Sequence, residues 1–283
     1  MLKKTILILV LLSIVFVGSV QAADHKLSIG ATPVPHAEIL DFIRTELKAA
    51  GIDLDLVEFT DYVTPNIALA DGSIDANFFQ HIPYLKEFNK NRALNLKAVI
   101  KVHLEPIALY SEKYNSLEEI PAGAQIAIPN DPSNEGRALI LLDSKGLISL
   151  KDPNNLNVTP VDIKENPKNL KFKELGAAQL PRVLNDVAAA IINTNYALEA
   201  DLNPVADALL IEGKNSPYVN VIAVRAEDKD SQKIKILKAV IQSEAVKEFI
   251  LEEYEGAVVP AFEPLDSGQA AGAVRSKTGD YIF

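Results

Sequence analysis

Apolar positions along the chain switch repeatedly between two rhythms. Short runs with every second residue buried read as strands. They fall at Leu27–Gly30, Leu54–Phe59, Ile74–Phe78, Leu96–Val102, Ile107–Tyr110, Gln125–Ile128, Val187–Ile192 and Val219–Val224. Between them, apolar residues recur every three or four positions, the spacing of one helix face. Such helices are predicted from Pro35 to Gly51, with Ile39, Leu40, Phe42, Ile43 and Leu47 inward, and over Tyr84–Asn91, Pro132–Ser144 and Leu180–Asp186. The clearest runs from about Ser231 to Glu255, with Ile234, Leu237, Ile241, Val246, Phe249 and Ile250 on one face. Strand and helix alternating over the whole length predict α/β architecture with largely parallel strands, divided between two sheets.

The first residues follow neither rhythm. Lys3 and Lys4 precede a nearly continuous apolar run from Thr5 to Val17, and Val20-Gln21-Ala22 then fits the small-x-small rule. This is the pattern of a signal peptide cleaved after Ala22. The run is shorter than the roughly 20 residues that span a bilayer. An exported chain follows. The far end, after Pro260, is rich in small and polar residues and reads as loosely attached coil.

Composition narrows the chemistry. The 283 residues carry a net charge of −10, which argues against nucleic-acid binding. There is no Cys, so disulfides, thiolate metal sites and cysteine nucleophiles are excluded, and the only Met is Met1. No nucleotide-binding loop or Gly-x-Ser-x-Gly elbow occurs. None of His25, His36, His81 and His103 has the i, i+4 partner of a helical zinc site. No enzyme signature, metal or cofactor is predicted, although an enzyme on an α/β scaffold stays as a distant alternative.

Polar and aromatic residues concentrate instead where strands end, the position at which open α/β sheets bind ligands. The clusters are Phe59–Tyr62, Phe78–Tyr84, Pro129–Arg137 and Ile192–Tyr196. Asp131 suits an N-cap and Pro132 the first helical position, so the helix start offers free N–H groups to an anion. Arg137 lies about one and a half turns inside, and its planar fork can hold a carboxylate. The competing reading is a surface arginine paired with Asp131 or Glu135.

At these clusters the chain resembles the NlpA/MetQ-type methionine-binding lipoproteins that serve methionine ABC importers. The resemblance is carried by DYVTPNIALADGSIDANFFQHIPYL at 61–85, IPNDPSNEGRALILLDSKGLI at 128–148, ENPKNLKFKEL at 165–175, QLPRVLNDVAAAIINTNYA at 179–197 and NSPYVNVIAV at 215–224. It implies a two-lobed periplasmic-binding-protein fold with two crossovers and a cleft between the lobes. Lobe one is expected from 25–107 plus 225–260 and lobe two from 108–224, with 261–283 as a tail of no assigned role.

The resemblance further implies that Arg137 grips the α-carboxylate of an amino acid, with Asn134 beside it. Asn193 and Asn220 would hold the carboxylate and ammonium. Tyr62, Phe79, His81 and Tyr84 would wall a thioether, for which aromatic rings are favourable neighbours. The implied partners are methionine, an ABC permease and its ATPase, with the protein a monomer. The alternative ligand is a Met-containing dipeptide or another apolar amino acid, and a surface antigen without transport is the remaining reading. The family's lipid anchor is a cysteine, and Ser19 stands where it would be. A hydroxyl cannot form that thioether, so the protein is expected free in a periplasm.

Overall fold

The computed structural model describes residues 25–213 and 216–262, with the backbone of 274–275 and 281–282. The signal-peptide pattern, Ser19 and the Ala22 cleavage site lie outside the described residues. Among the described residues no helix is long and apolar enough to cross a membrane.

The chain starts in a first sheet with β1 (Lys26–Ala31), β2 (Asp53–Glu58), β3 (Ala76–His81) and β4 (Lys97–Leu104). It crosses at Glu105–Ile107 into a second sheet containing β5 (Ala108–Tyr110), β6 (Gln125–Pro129), β9 (Lys171–Leu175), β10 (Ala189–Ile192) and β11 (Leu210–Ile211). Short β7 (Ser149–Leu150) and β8 (Ile163–Glu165) pair with each other. After β11 the chain crosses back. It completes the first sheet with β12 (Val219–Val224) and β13 (Val259–Pro260), giving the order β13-β4-β12-β3-β1-β2. The second sheet has the order β11-β5-β10-β6-β9.

Two expectations are corrected by this topology. The strands are mixed, not largely parallel: β1 pairs in parallel with β2 and β3, but β12 runs antiparallel to both β3 and β4. A strand that returns from the other lobe enters its sheet from the opposite end. For the same reason 219–224, allotted above to lobe two, sits in the first sheet. Ile222 and Val224 are buried in its core beside Leu27, Ile29 and Ile100.

The helices differ locally from the sequence reading. The first helical stretch is a π-helical turn at Pro33–Ala37, then α1 (Glu38–Phe42) and α2 (Arg44–Ala49), ended by Gly51 at φ +87°. This is the left-handed stop that glycine takes readily. α3 (Thr64–Asp71) and α4 (Ile82–Arg92) follow, and α5 (Pro132–Ser144) matches its predicted span. The helix expected at Leu180–Asp186 is replaced by two 3-10 turns, Ala177–Gln179 and Pro181–Val183. Pro181 has no N–H to continue a helix from the preceding turn. After α6 (Thr194–Leu198), the long helix is two, α7 (Gln232–Ile241) and α8 (Glu244–Glu253), with Ser243 capping the second through the Val246 N–H. The tail is not all coil: the Ala261 N–H donates to the Val102 carbonyl, Phe262 packs on the first core, and Val274–Arg275 (β14) pairs with Tyr281–Ile282 (β15).

Candidate ligand-binding cleft

All eight residues singled out by the sequence line one cavity between the lobes: Tyr62, Phe79, His81, Tyr84, Asn134, Arg137, Asn193 and Asn220. The space among these side chains, counted out to open solvent, is about 330 Å³. Gln80, Glu105, Thr194 and Asn195 complete the lining and were not singled out. The signal for them was available. Gln80 and Asn195 lie inside the strand-end clusters, and Glu105 directly follows a strand.

The aromatic wall comes from β3 and its neighbours. β3 is buried along its whole length, and its register against β12 steps from Gln80 to Phe78 without a partner for Phe79. Such a bulge re-aims side chains next to sites. Phe79 thereby meets Tyr62 and Tyr84, with ring centroids 5.9 and 6.0 Å away. The same step puts Asn77 and Gln80 on one side, where both bond Asn66: its Oδ1 accepts from Asn77 at 2.8 Å and Gln80 at 2.7 Å. Buried amides are tolerable only when paired in this way. Tyr62 donates to Asn195 Oδ1 at 2.5 Å and Tyr196 to the Thr60 carbonyl at 3.2 Å, so hydroxyls tie the two lobes across the cleft.

The amide groups have a determined polarity. Asp131 caps α5, its Oδ1 accepting the Asn134 N–H at 3.0 Å, and its carboxylate also takes the Asn134 amide. Burial raises Asp131 and the Asn134 bonds oppose that. Asn134 Oδ1 therefore faces the cavity side and accepts from Asn193 Nδ2 at 2.9 Å and His81 Nε2 at 3.1 Å. His81 Nδ1 accepts the Tyr84 N–H, which leaves the proton on Nε2. Burial, then the charge of Arg137, lowers His81 to about 3, so the ring is neutral. The outcome is a buried acceptor, Asn193 Oδ1, with no hydrogen-bond partner, and a buried donor, Asn195 Nδ2, that makes no close hydrogen bond and has the Glu199 carboxyl nearby. Buried polar atoms are rarely left so, and an occupant with one donor and one acceptor would satisfy them.

Arg137 pairs with neither Asp131 nor Glu135. Its Nε and one terminal nitrogen donate to Glu212 at 3.1 and 2.5 Å, and that terminal nitrogen also donates to the Glu105 carbonyl at 2.6 Å. The guanidinium lies 4.4 Å over the ring of Tyr218. Burial alone would lower Arg137, and the charge and hydrogen bonds of Glu212 outweigh it. The fork expected for a ligand is thus already filled, and one terminal nitrogen is left for it. Asn220 Oδ1 lies 3.4 Å from His36 Nε2.

Glu105 sits on the first crossing. Its Oε1 accepts from His103 at 2.6 Å and His36 at 3.1 Å, and its Oε2 from the Asn195 N–H at 3.1 Å. Burial works to raise it, but the His36 charge and the imidazole bonds hold it well below the usual carboxylate range. The 2.6 Å separation is that of a hydrogen bond, and it leaves His103 Nδ1 buried without a partner. His103 is lowered by burial, against the pull of Glu105.

Known proteins are similar to this chain in sequence and fold. The family model described as NlpA lipoprotein matches residues 27–262. The D-methionine-binding lipoprotein MetQ of Escherichia coli K12 is 49% identical over 211 residues, 74% of this chain and 78% of that protein. The methionine-binding lipoprotein MetQ of Bacillus subtilis 168 is 42% identical, over 86% of this chain and 90% of its own. A nutrient-binding protein of Burkholderia cenocepacia, solved bound to methionine, superposes with a TM-score of 0.81 at 47% identity, covering 83% of this chain and 100% of that one. With its family model spanning both sheets and the cleft between them, the chain belongs to the NlpA lipoprotein family.

Proposed function

We propose that this protein is a substrate-binding protein, not an enzyme, that captures methionine in the inter-lobe cleft and delivers it to an ABC permease and its ATPase. The observation that carries the reading is the pairing of an aromatic wall with amide atoms that make no close hydrogen bond beside a buried arginine. Asn193 Oδ1 is an acceptor for an ammonium group. Asn195 Nδ2 and the remaining Arg137 nitrogen are donors for a carboxylate, Asn134 braces Asn193 by accepting its amide, and Asn220 lines the same space for the ligand's polar end. Tyr62, Phe79, His81 and Tyr84 offer a thioether ring faces and edges, each contact worth about 0.3–1.5 kcal/mol. The methionine-binding names of the relatives, at 42–49% identity, support the same ligand.

The working form is a monomer in the periplasm, cut after Ala22 and not lipidated, because Ser19 replaces the anchoring cysteine. Calorimetry on protein stripped of endogenous ligand tests the reading, with L-methionine, D-methionine, Met-containing dipeptides and leucine. Heat with one or both methionine enantiomers and little with leucine is expected. No heat with any methionine compound would sink it, and equal competition by leucine would move the ligand to another apolar amino acid. Mass spectrometry of the exported protein should give an N-terminus at Ala23 without an acyl chain.

A further inference from the structure

Arg137 is the only arginine or lysine among the described residues lining the cavity, and its charge is matched within the protein. Glu212, on the second crossing between the lobes, takes the side-on edge of the guanidinium with both oxygens. Glu212 is itself fixed from three other directions. Ser216 Oγ donates to it at 3.1 Å, the Ile107 N–H at 3.4 Å, and its own N–H donates to the Ile107 carbonyl at 3.0 Å. Ile107 belongs to the first crossing, so the carboxylate joins both crossings to the arginine. Glu105, whose carbonyl accepts from Arg137, adds a second buried carboxylate to the lining.

This inventory leaves no unmatched cation for a ligand that arrives as an anion. A buried charge without a counter-charge is costly, whereas a zwitterion brings its own. We infer that Glu212 is a specificity-determining positioning residue: it cancels the charge of Arg137 and aims the remaining nitrogen, so that the cleft takes carboxylates that carry their own ammonium and rejects monoanions of the same size. Rejection built from an unfavourable arrangement for the competitor is a general route to specificity. The inference rests on the proposed amino-acid occupant of the cleft.

The test compares L-methionine with 2-hydroxy-4-(methylthio)butanoate, which keeps the skeleton and replaces the ammonium with a hydroxyl. Calorimetry on ligand-free wild type is expected to show a strong preference for methionine. In Glu212→Gln, Arg137 regains an unmatched charge, and the preference should narrow by about tenfold or more, the size of one charged hydrogen bond. Glu212→Asp keeps the charge and should keep the wild-type ratio even if both ligands bind less tightly. A Gln variant that weakens both ligands in parallel, with the ratio unchanged, would overturn the inference, because that is what a purely structural residue would do. Should the Gln variant fail to fold, the wild type still decides: L-methioninamide, a cation, should lose less affinity relative to methionine than the hydroxy acid does. The reverse order would overturn the charge assignment. A wild type that ignores methionine altogether would instead overturn the proposed ligand, and this inference with it.

Discussion

Replacing Arg137 with alanine should harm the protein twice, and the two effects can be separated. Arg137 and Glu212 are both buried, with side chains 3% and 6% exposed. Removing the arginine leaves a carboxylate that no longer has its two charged donors. Breaking a buried pair in this way costs about 3–5 kcal/mol. Ser216 Oγ and the Ile107 N–H still face the carboxylate, which places the expected loss at the lower end, about 3 kcal/mol. At roughly 2–4 °C per kcal/mol for a chain of this size, the melting point should fall by about 6–12 °C. The ligand loses one charged hydrogen bond, about 1.5–3 kcal/mol of affinity. The double variant Arg137→Met with Glu212→Met removes both charges together. Apolar replacement of a whole buried pair is often neutral, so most of the stability should return while methionine affinity stays low. Urea titration of the ligand-free proteins and calorimetry with L-methionine read the two quantities. A double variant no more stable than Arg137→Ala would show that Glu212 is not the stranded charge. A double variant that binds methionine like wild type would remove Arg137 from the site.

Three further outcomes are expected. Glu135 is raised to about 7 by burial first and by the nearby charges of Glu174 and Asp131, from an ordinary 4.5. Its stabilising share is therefore full below pH 4.5 and lost as pH rises through about 7, so Glu135→Gln should gain on the order of 1 kcal/mol at pH 8, after allowance for solvent screening, and nothing at pH 4, measured by urea titration. His81 is lowered to about 3 from 6.5, so stability should fall as pH drops below 6.5, by up to about 1.4 kcal/mol per pH unit, while no step from His81 titration appears in methionine affinity between pH 6 and 8. His81→Gln should lose that acid limb. A Cβ at Gly136 would sit 2.1 Å from the Leu156 carbonyl oxygen, so Gly136→Ala should cost about 1–3 kcal/mol by forcing the loop off α5, against the gain its helix propensity alone would predict.

The sequence reading succeeded where the physics is local. The Asp131-Pro132 start of α5 depends on a cap three residues long, and the strand ends follow from short alternating runs. It failed where a local rhythm had to be weighed against distant packing. Ile241 and Val246 are five residues apart, a step that an unbroken helix does not keep on one face. The structure breaks there: Gln242 ends α7 at φ −95°, ψ 25°, Ser243 turns extended to cap α8, and the Gln242 side chain reaches the Lys101 carbonyl at 2.8 Å. The bulge at Phe79 was invisible for a similar reason, since it exists only in the register between β3 and a strand some 140 residues later.

The sequence by itself pointed to eight of the twelve described residues that surround the cleft, through the polar and aromatic side chains gathered where strands end and through the motifs that resemble the family. Only the tertiary structure decided what those residues have left to offer. Glu212 is 75 positions from Arg137, and nothing in a linear pattern says that it fills the guanidinium's fork. The free acceptor on Asn193 and the donor left on Asn195 likewise follow from Asp131, Asn134, His81 and Tyr62 spending the other half of each amide. Hydrogen-bonding capacity is a finite property of each atom, and how much remains is known only once every neighbour has been placed.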